Sequence, residues 1–232
     1  MLRIVTAKAL LWLLLVGGSS SAVAATGPDI GAPRVDNAVV FIVDVSHSMS
    51  DYEVSIARES HAAAITSYEV LQAVDNGALG RSAFAYVEFA TRAETLIEWT
   101  IIDSATSAQA FAYRIRNQGN DRLGGLTAIG EALHEAVALF RALPFSATRH
   151  VVDVTGDGAN NSGRGIDGPR GELLDMDVII NGLPMIFNTR HPDLTGYYGQ
   201  RIIGGPGAFV LTLELISDMP MMMRQKIVME LF

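Results

Sequence analysis

The sequence predicts an α/β fold in which a doubly wound, mostly parallel sheet carries helices on both faces. Apolar segments rich in β-branched residues alternate with segments of helical periodicity, as expected where helices connect parallel strands. The first apolar segment, 38–45 (AVVFIVDV), is almost continuous, which is typical of a strand buried on both faces. The chain has 232 residues, of which 49% are hydrophobic, so it is long enough to bury a full core.

The other elements follow from caps, periodicity and turn residues. Ser50 and Glu53 form a capping box, and the apolar stripe behind them predicts one helix that ends near Val74. Two predicted strands close together in the chain, 82–90 and 95–102, are joined by the turn Thr91–Glu94 and should form an antiparallel pair. The expected strands are 82–90, 95–102, 150–155, 177–183 and 208–213, and the expected helices are 105–116, 127–143, a short one near 171–174 and a closing one from 217.

The first 25 residues have the three-part pattern of a secretory signal peptide. Arg3 and Lys8 supply the positive region, 9–16 the apolar centre, and small residues the cleavage site. The apolar run is shorter than the ~20 residues that span a bilayer. We therefore expect an exported protein, periplasmic or secreted, with no membrane span after cleavage. A flexible segment, 26–36, then precedes one domain, 37–232.

The charge and the absence of cysteine exclude several functions. The formal charge is -8, and removal of a signal peptide containing two basic and no acidic residues makes it -10. Only Lys8 and Lys226 are lysines, so no basic stripe is available for phosphates and we expect no nucleic-acid partner. Without cysteine the chain has no disulfide, thiolate nucleophile or thiolate metal ligand.

Oxygen-bearing side chains follow two of the predicted strands and open one predicted helix. Asp44, Ser46 and Ser48 alternate as the first strand ends, Thr127 opens a helix, and Asp157 follows another strand. Ligands in doubly wound folds bind at the carboxyl ends of the parallel strands. Two carboxylates and three hydroxyls favour a hard divalent cation, Mg²⁺ first, with Mn²⁺ and Ca²⁺ as alternatives.

Simpler structural roles are open for each of these residues taken alone. Serine and threonine are common caps and turn residues, so Thr127 is also a candidate N-cap. Asp157 and Gly158 form a frequent turn pair. Gly125 and Gly158 would allow the backbone to approach the site closely.

The Asp44-x-Ser46-x-Ser48 motif, Thr127 and the Asp157–Gly158 pair resemble the metal-ion-dependent adhesion site of von Willebrand factor type A domains. The likeness covers about 37–230. In that superfamily, a Mg²⁺-type ion binds an Asp or Glu of a protein partner without turnover, and the resemblance implies the same role here. Further motifs resemble an exported bacterial branch of unassigned function. These motifs are 156–161 (GDGANN), 180–184 (INGLP) and 203–209 (IGGPGAF).

Two residues depart from the pattern of the superfamily. His47 stands where relatives often have glycine, so it either crowds the site or adds a contact. Asp153 places a carboxylate inside a strand that is usually apolar.

Tyr197 and Tyr198 lie in a predicted loop. They belong either to a surface that binds a partner or to the residues that cover the core.

The main alternative is a Mg²⁺-dependent phosphohydrolase of haloacid dehalogenase type. Asp44 ends a first strand, and 156–161 approximates the late metal motif of that family. However, Ser46 replaces the second acid, and the only lysine of the mature chain, Lys226, lies in the closing helix. A serine hydrolase built on Ser46 or Ser48 lacks a G-x-S-x-G elbow, and no P-loop follows the first strand. We therefore expect that the protein is not an enzyme.

Overall fold

The computed structural model describes residues 32–118, 123–187 and 189–232, so the predicted signal peptide lies outside the described residues. The strands are β1 (Arg34–Asp44), β2 (Ser82–Phe89), β3 (Ala93–Ile102), β4 (Ser146–Gly156) and β5 (Val178–Pro184). The helices are α1 (Asp51–Ile65), α2 (Tyr68–Asp75), α3 (Ala105–Arg116), α4 (Ile129–Arg141), α5 (Asp167–Asp175), α6 (Leu194–Tyr197) and α7 (Met219–Glu230). A π-helical turn (Tyr198–Ile202) follows α6, and a 3₁₀ turn (Ile216–Asp218) precedes α7.

The strands form one sheet in the order β3-β2-β1-β4-β5. β2 and β3 are antiparallel, as predicted, and the other neighbouring strands are parallel. The predicted fold class, a mostly parallel sheet with helices on both faces, is therefore confirmed. Among the described residues, no helix combines the length and apolar character that crossing a membrane requires.

Alternating side chains of β1 divide the core into two parts. Val39, Phe41 and Val43 point to the face covered by α1, α3 and α7, which we call face A. Val40 and Ile42 point to the opposite face, covered by α4 and α5, which we call face B. Asp44 follows Ile42 by two residues, so its side chain belongs to face B.

The helix predicted from Ser50 to Val74 is two helices, because polar side chains end the first one. Thr66 donates its hydroxyl to the carbonyl of Ala62, and Ser67 donates to the carbonyl of Ala64. The Ser67 hydroxyl then accepts the N–H of Val70 and caps α2. Such local hydrogen bonds compete with those of a continuous helix.

The prediction of a last strand at 208–213 is wrong, because the segment forms only isolated bridges with β5. Gly182 donates its N–H to Phe209 and accepts from Leu211, and Leu213 donates to Pro184. A continuous parallel ladder would next need an N–H at position 184, which proline lacks. The segment therefore runs beside β5 without becoming a strand.

The strand order places the end of β1 at the middle of the sheet's carboxyl edge. The chain leaves β1 toward β2 on one side of the sheet and later returns to β4 on the other side. The order therefore reverses between β1 and β4, which is the position where open α/β sheets bind ligands. Asp44 ends β1, and Asp157 directly follows β4.

Candidate metal centre

The structure brings the five sequence-predicted site residues together at this point. Asp44 and Ser46 are fully buried, and Thr127 and Asp157 are nearly so. Ser48 is exposed at the opening of the site. Three separate segments of the chain therefore meet there, as the sequence pattern predicts.

A chain of hydrogen bonds connects the side chains of the site. Thr127 Oγ1 donates to Ser46 Oγ over 3.4 Å, and Ser46 Oγ lies 2.9 Å from Ser48 Oγ. Ser48 Oγ in turn donates to Asp157 Oδ1 over 2.7 Å. Asp44 joins through its Oδ1, which accepts the backbone N–H of Ser46 at 2.8 Å. The arrangement turns three hydroxyls and two carboxylates toward one small region.

The helix caps show that these hydroxyls are not simply capping groups. Ser50 and Glu53 form the predicted capping box of α1, with hydrogen bonds of 2.6 and 3.2 Å. Ser46 and Ser48 are therefore not the cap of α1. The N-cap residue of α4 is Ala128, so Thr127 lies just outside the helix, and its hydroxyl bonds to Ser46. The alternative of Thr127 as an N-cap is wrong.

Two asparagines that the sequence reasoning did not single out hold Thr127 in place. Asn161 Oδ1 accepts the N–H of Thr127 at 2.9 Å, and Asn160 Oδ1 accepts the N–H of Gly130 in the first turn of α4 at 2.9 Å. Both belong to the 156–161 motif, which contains Asp157. The paired asparagines three and four residues after Asp157 are the sequence signal for this role, since asparagine oxygens readily accept backbone N–H groups.

Glycines allow the segments to approach one another. A Cβ at Gly158 would lie 3.1 Å from Thr127 Oγ1. A Cβ at Gly125 would lie 2.9 Å from His47 Nδ1, so a larger residue would displace the histidine. His47 itself is exposed and donates its backbone N–H to Gly125. Its side chain therefore lies beside the site and does not fill it.

In each of the two carboxylates, one oxygen has no hydrogen-bond partner among the described residues. Asp44 Oδ2 and Asp157 Oδ2 are buried, and neither has a hydrogen-bond partner within the described part of the chain. Burial, followed by the charge of Asp157, raises the pKa of Asp44 from its ordinary value of 3.8 to about 7. Burial also raises the pKa of Asp157, and the charge of Glu53 acts in the same direction. Leaving such groups unpaired is costly, and a bound cation would remove that cost.

The donor set fits a hard divalent cation. Within residues 32–118, 123–187 and 189–232, no three His, Asp or Glu side chains form a metal-binding group. A cation here would therefore depend on hydroxyl oxygens as well as on Asp44 and Asp157. Neutral and anionic oxygens are the ligands preferred by Mg²⁺, Mn²⁺ and Ca²⁺.

The elevated pKa values predict how stability depends on pH. A carboxyl whose pKa is higher in the folded state stabilises the fold at acidic pH, and that contribution is lost as pH rises through the folded pKa. Without metal, Asp44 and Asp157 should therefore lower the free energy of unfolding between about pH 4 and pH 8. A bound cation should offset the loss, so the Mg²⁺-induced rise in Tm should grow with pH. Thermal melts in EDTA and in saturating Mg²⁺ test this, and a pH-independent Mg²⁺ effect would contradict it.

A cavity of about 550 Å³ opens beside the site. Its lining includes Ser48, Thr127 and Asp157 of the site, together with Arg190 and His191. Asp157 and the hydroxyls of Ser48 and Thr127 therefore face a space into which a further group can enter. Arg190 would give that space a positive charge, which is complementary to an acidic group.

Lys226 and Asp153 lie on the other face of the sheet. Asp153 is in register with Phe41 of β1, so its side chain belongs to face A, and Asp44 belongs to face B. Lys226 Nζ contacts Asp153 Oδ1 at 2.6 Å and Glu230 Oε1 at 2.5 Å, and all three side chains are fully buried. Lys226 thus belongs to a buried charged cluster and does not face Asp44. A phosphoryl-transfer mechanism would require a positive charge near Asp44.

Solved structures support the von Willebrand A-like fold. A von Willebrand factor type A protein from Catenulispora acidiphila has a TM-score of 0.62 and 17% identity, with 85% of this chain and 43% of that chain covered. Proximal thread matrix protein 1 from the mussel byssus, with zinc in its MIDAS motif, has a TM-score of 0.63 and 18% identity, with coverage of 86% and 48%. This chain spans less than half the length of either protein.

A third solved structure is matched over nearly its whole length. An aerotolerance-related membrane protein from Bacteroides fragilis has a TM-score of 0.50 and 16% identity, with 82% of this chain and 98% of that chain covered. No curated protein matches the sequence. A family model matches residues 34–232, and the chain therefore belongs to the family described as "Protein of unknown function (DUF1194)".

Proposed function

We propose that this chain is an exported binding module that holds a divalent cation and, through it, a carboxylate of a protein partner. The observation that carries the proposal is a pair of buried oxygens, Asp44 Oδ2 and Asp157 Oδ2, which lie beside three hydroxyls and have no hydrogen-bond partner in the described part of the chain. Asp44 and Asp157 supply negative charge, and Ser46, Ser48 and Thr127 supply neutral oxygens. Bound there, Mg²⁺ would supply positive charge and coordination positions open to an incoming anion.

Three further points support this proposal. The mussel byssus protein, which shares the fold, has a MIDAS motif that binds zinc. The cavity beside the site has room for an acidic side chain, and Arg190, which also lines it, has the complementary charge. The amino-terminal pattern of a signal peptide supports export, to the periplasm or beyond the cell.

The proposed cation site predicts that Thr127→Val weakens Mg²⁺ binding. The change keeps the shape of the side chain and removes only its hydroxyl, so we expect about tenfold weaker affinity by isothermal titration calorimetry. Thr155→Val is the matched control, because Thr155 is also buried but donates to Asp153 on face A. Equal Mg²⁺ affinity in wild type and Thr127→Val would remove Thr127 from the site.

Partner binding and turnover are tested separately from cation binding. If the protein is a binding module, immobilised wild type should capture a partner from envelope extract in Mg²⁺, and EDTA should release it. The same protein should release no phosphate from p-nitrophenyl phosphate in Mg²⁺. Phosphate release that is lost in Asp44→Asn would favour the phosphohydrolase over the binding module.

A further inference from the structure

Tyr198 brings a buried hydroxyl to the underside of the candidate metal centre. It is the first residue of the π-helical turn Tyr198–Ile202, and its side chain is fully buried in the core of face B. Its hydroxyl has no hydrogen-bond partner among the residues that the structure describes. The alternative that Tyr198 contributes to a partner surface is therefore wrong, because no part of it reaches the surface.

Two glycines make room for this ring across the sheet. A Cβ at Gly182, in β5, would lie 2.6 Å from Tyr198 Cδ1, so any larger residue would displace the ring. A Cβ at Gly156, at the end of β4, would lie 3.0 Å from the Tyr198 hydroxyl. The ring therefore passes over both strands, and its hydroxyl extends toward the end of β1.

The hydroxyl and Asp44 face the same small space. The Cβ position at Gly156 lies 3.0 Å from Tyr198 Oη and also 3.0 Å from Asp44 Oδ2. Both atoms are buried and both lack a partner within the described segments. One is a donor and the other an acceptor, so together they form a complementary pair.

The charges around the hydroxyl favour its role as a donor. Burial, followed by the charges of Asp44 and Asp157, raises the pKa of Tyr198 well above its ordinary value. Tyr198 therefore keeps its proton at neutral pH. The other oxygen of Asp44, Oδ1, already accepts the N–H of Ser46, so a hydrogen bond at Oδ2 would fix both oxygens of the carboxylate.

We propose that Tyr198 is a positioning residue of the metal centre: when a divalent cation binds, its hydroxyl donates a hydrogen bond to Asp44 Oδ2 and orients that carboxylate. This inference rests on the proposed cation site and adds a residue to it. Tyr198 acts through Asp44 and contacts neither the cation nor the partner. Gly156 and Gly182 contribute to this arrangement, because the absence of a side chain at each position leaves room for the Tyr198 ring.

The test is Tyr198→Phe, which removes the hydroxyl and keeps the ring. We expect about tenfold weaker Mg²⁺ affinity by calorimetry, as is typical when a group that orients a metal ligand is lost. The Tm in EDTA should stay the same or rise, because without a cation this buried hydroxyl makes no hydrogen bond among the described residues. Tyr198→Phe should thus weaken Mg²⁺ affinity without lowering the Tm in EDTA. A purely structural role predicts a lower Tm in EDTA instead.

Tyr86→Phe is the matched control. Tyr86 is also fully buried, and its hydroxyl likewise has no hydrogen-bond partner among the described residues, but it lies on face A, where its ring contacts His61 with centroids 5.5 Å apart. Its loss should leave Mg²⁺ affinity unchanged. A second readout uses Tb³⁺, which emits when nearby aromatic rings are excited. At saturating Tb³⁺ the sensitised emission should fall in Tyr198→Phe and persist in Tyr86→Phe.

The outcomes separate this inference from the function on which it rests. If wild type binds neither Mg²⁺ nor Tb³⁺, the proposed cation site fails and the role of Tyr198 fails with it. If wild type binds Mg²⁺ and Tyr198→Phe binds it equally well, the positioning role is overturned and the cation site stands. A lower Tm in EDTA with unchanged Mg²⁺ affinity would likewise assign Tyr198 a structural role only.

Discussion

We expect Lys226→Met to lower the free energy of unfolding by about 3–5 kcal/mol, the usual cost of breaking a buried ion pair. Lys226 Nζ contacts Asp153 at 2.6 Å and Glu230 at 2.5 Å, and none of the three side chains is exposed. Burial, followed by the charge of Asp153, raises the pKa of Glu230 to about 8. Glu230 is therefore largely neutral at pH 7, and loss of the lysine leaves the Asp153 carboxylate buried without its cation. Urea denaturation at pH 7 measures the effect.

A compensating variant tests the reason for this loss. Replacing all three members together, as Asp153→Leu, Lys226→Met and Glu230→Leu, should recover much of the stability, because no unpaired charge remains. Mg²⁺ should still raise the Tm of Lys226→Met, since the cluster lies on face A and the metal centre on face B. The explanation fails if the triple variant is no more stable than Lys226→Met alone.

Asp44→Asn should have opposite effects on the metal-free and Mg²⁺-bound proteins. The pKa of Asp44 rises from 3.8 to about 7 on folding, so at pH 8 its ionisation costs the metal-free fold roughly 4 kcal/mol. Asparagine removes that charge and should raise the free energy of unfolding in EDTA by up to about 4 kcal/mol. It should also abolish Mg²⁺ stabilisation, which at one hundred times Kd is worth about 2.7 kcal/mol.

Asp153→Asn is the control for the Asp44 variant. It removes a second fully buried carboxylate, but one that is paired with Lys226. We therefore expect it to lower stability in EDTA and to leave the Mg²⁺ response intact. If Asp44→Asn is stabilised by Mg²⁺ as strongly as wild type, Asp44 does not belong to the metal centre.

Local signals made much of the fold predictable. The apolar run of β1 and the Ser50 capping box depend on neighbouring residues only, and the helix predicted over 105–116 matches α3 (Ala105–Arg116) at both ends. The prediction of a strand at 208–213 was wrong because of a residue far away in the sequence. Its β-propensity is genuine, but pairing depends on Pro184 in the neighbouring strand, which cannot donate a hydrogen bond.

In the candidate metal centre, too, the residues with a local sequence signal are predictable and those whose position depends on distant residues are not. Asp44, Ser46 and Ser48 are predictable because their alternation at a strand end is visible in the sequence. Asp157 follows from the strand-end rule, and Thr127 from its place at the start of a predicted helix. Tyr198 carries no such signal, because its position depends on glycines in two other strands. The fully buried cluster around Lys226 also escapes a sequence prediction, since a lone lysine in a helix is ordinarily solvated.

The interrupted pairing beside β5 bears on self-association. Gly204 exchanges hydrogen bonds with Ile180, and the segment after it engages Gly182, the carbonyl of Pro184 and the N–H of Ile186. These contacts occupy the outward-facing main-chain groups of the last strand, while their irregularity prevents a new straight edge from forming. Along the β5 edge of the described sheet, a second molecule therefore finds no continuous row of free amides on which to add a strand, and irregular edges of this kind limit edge-to-edge aggregation of natural sheets.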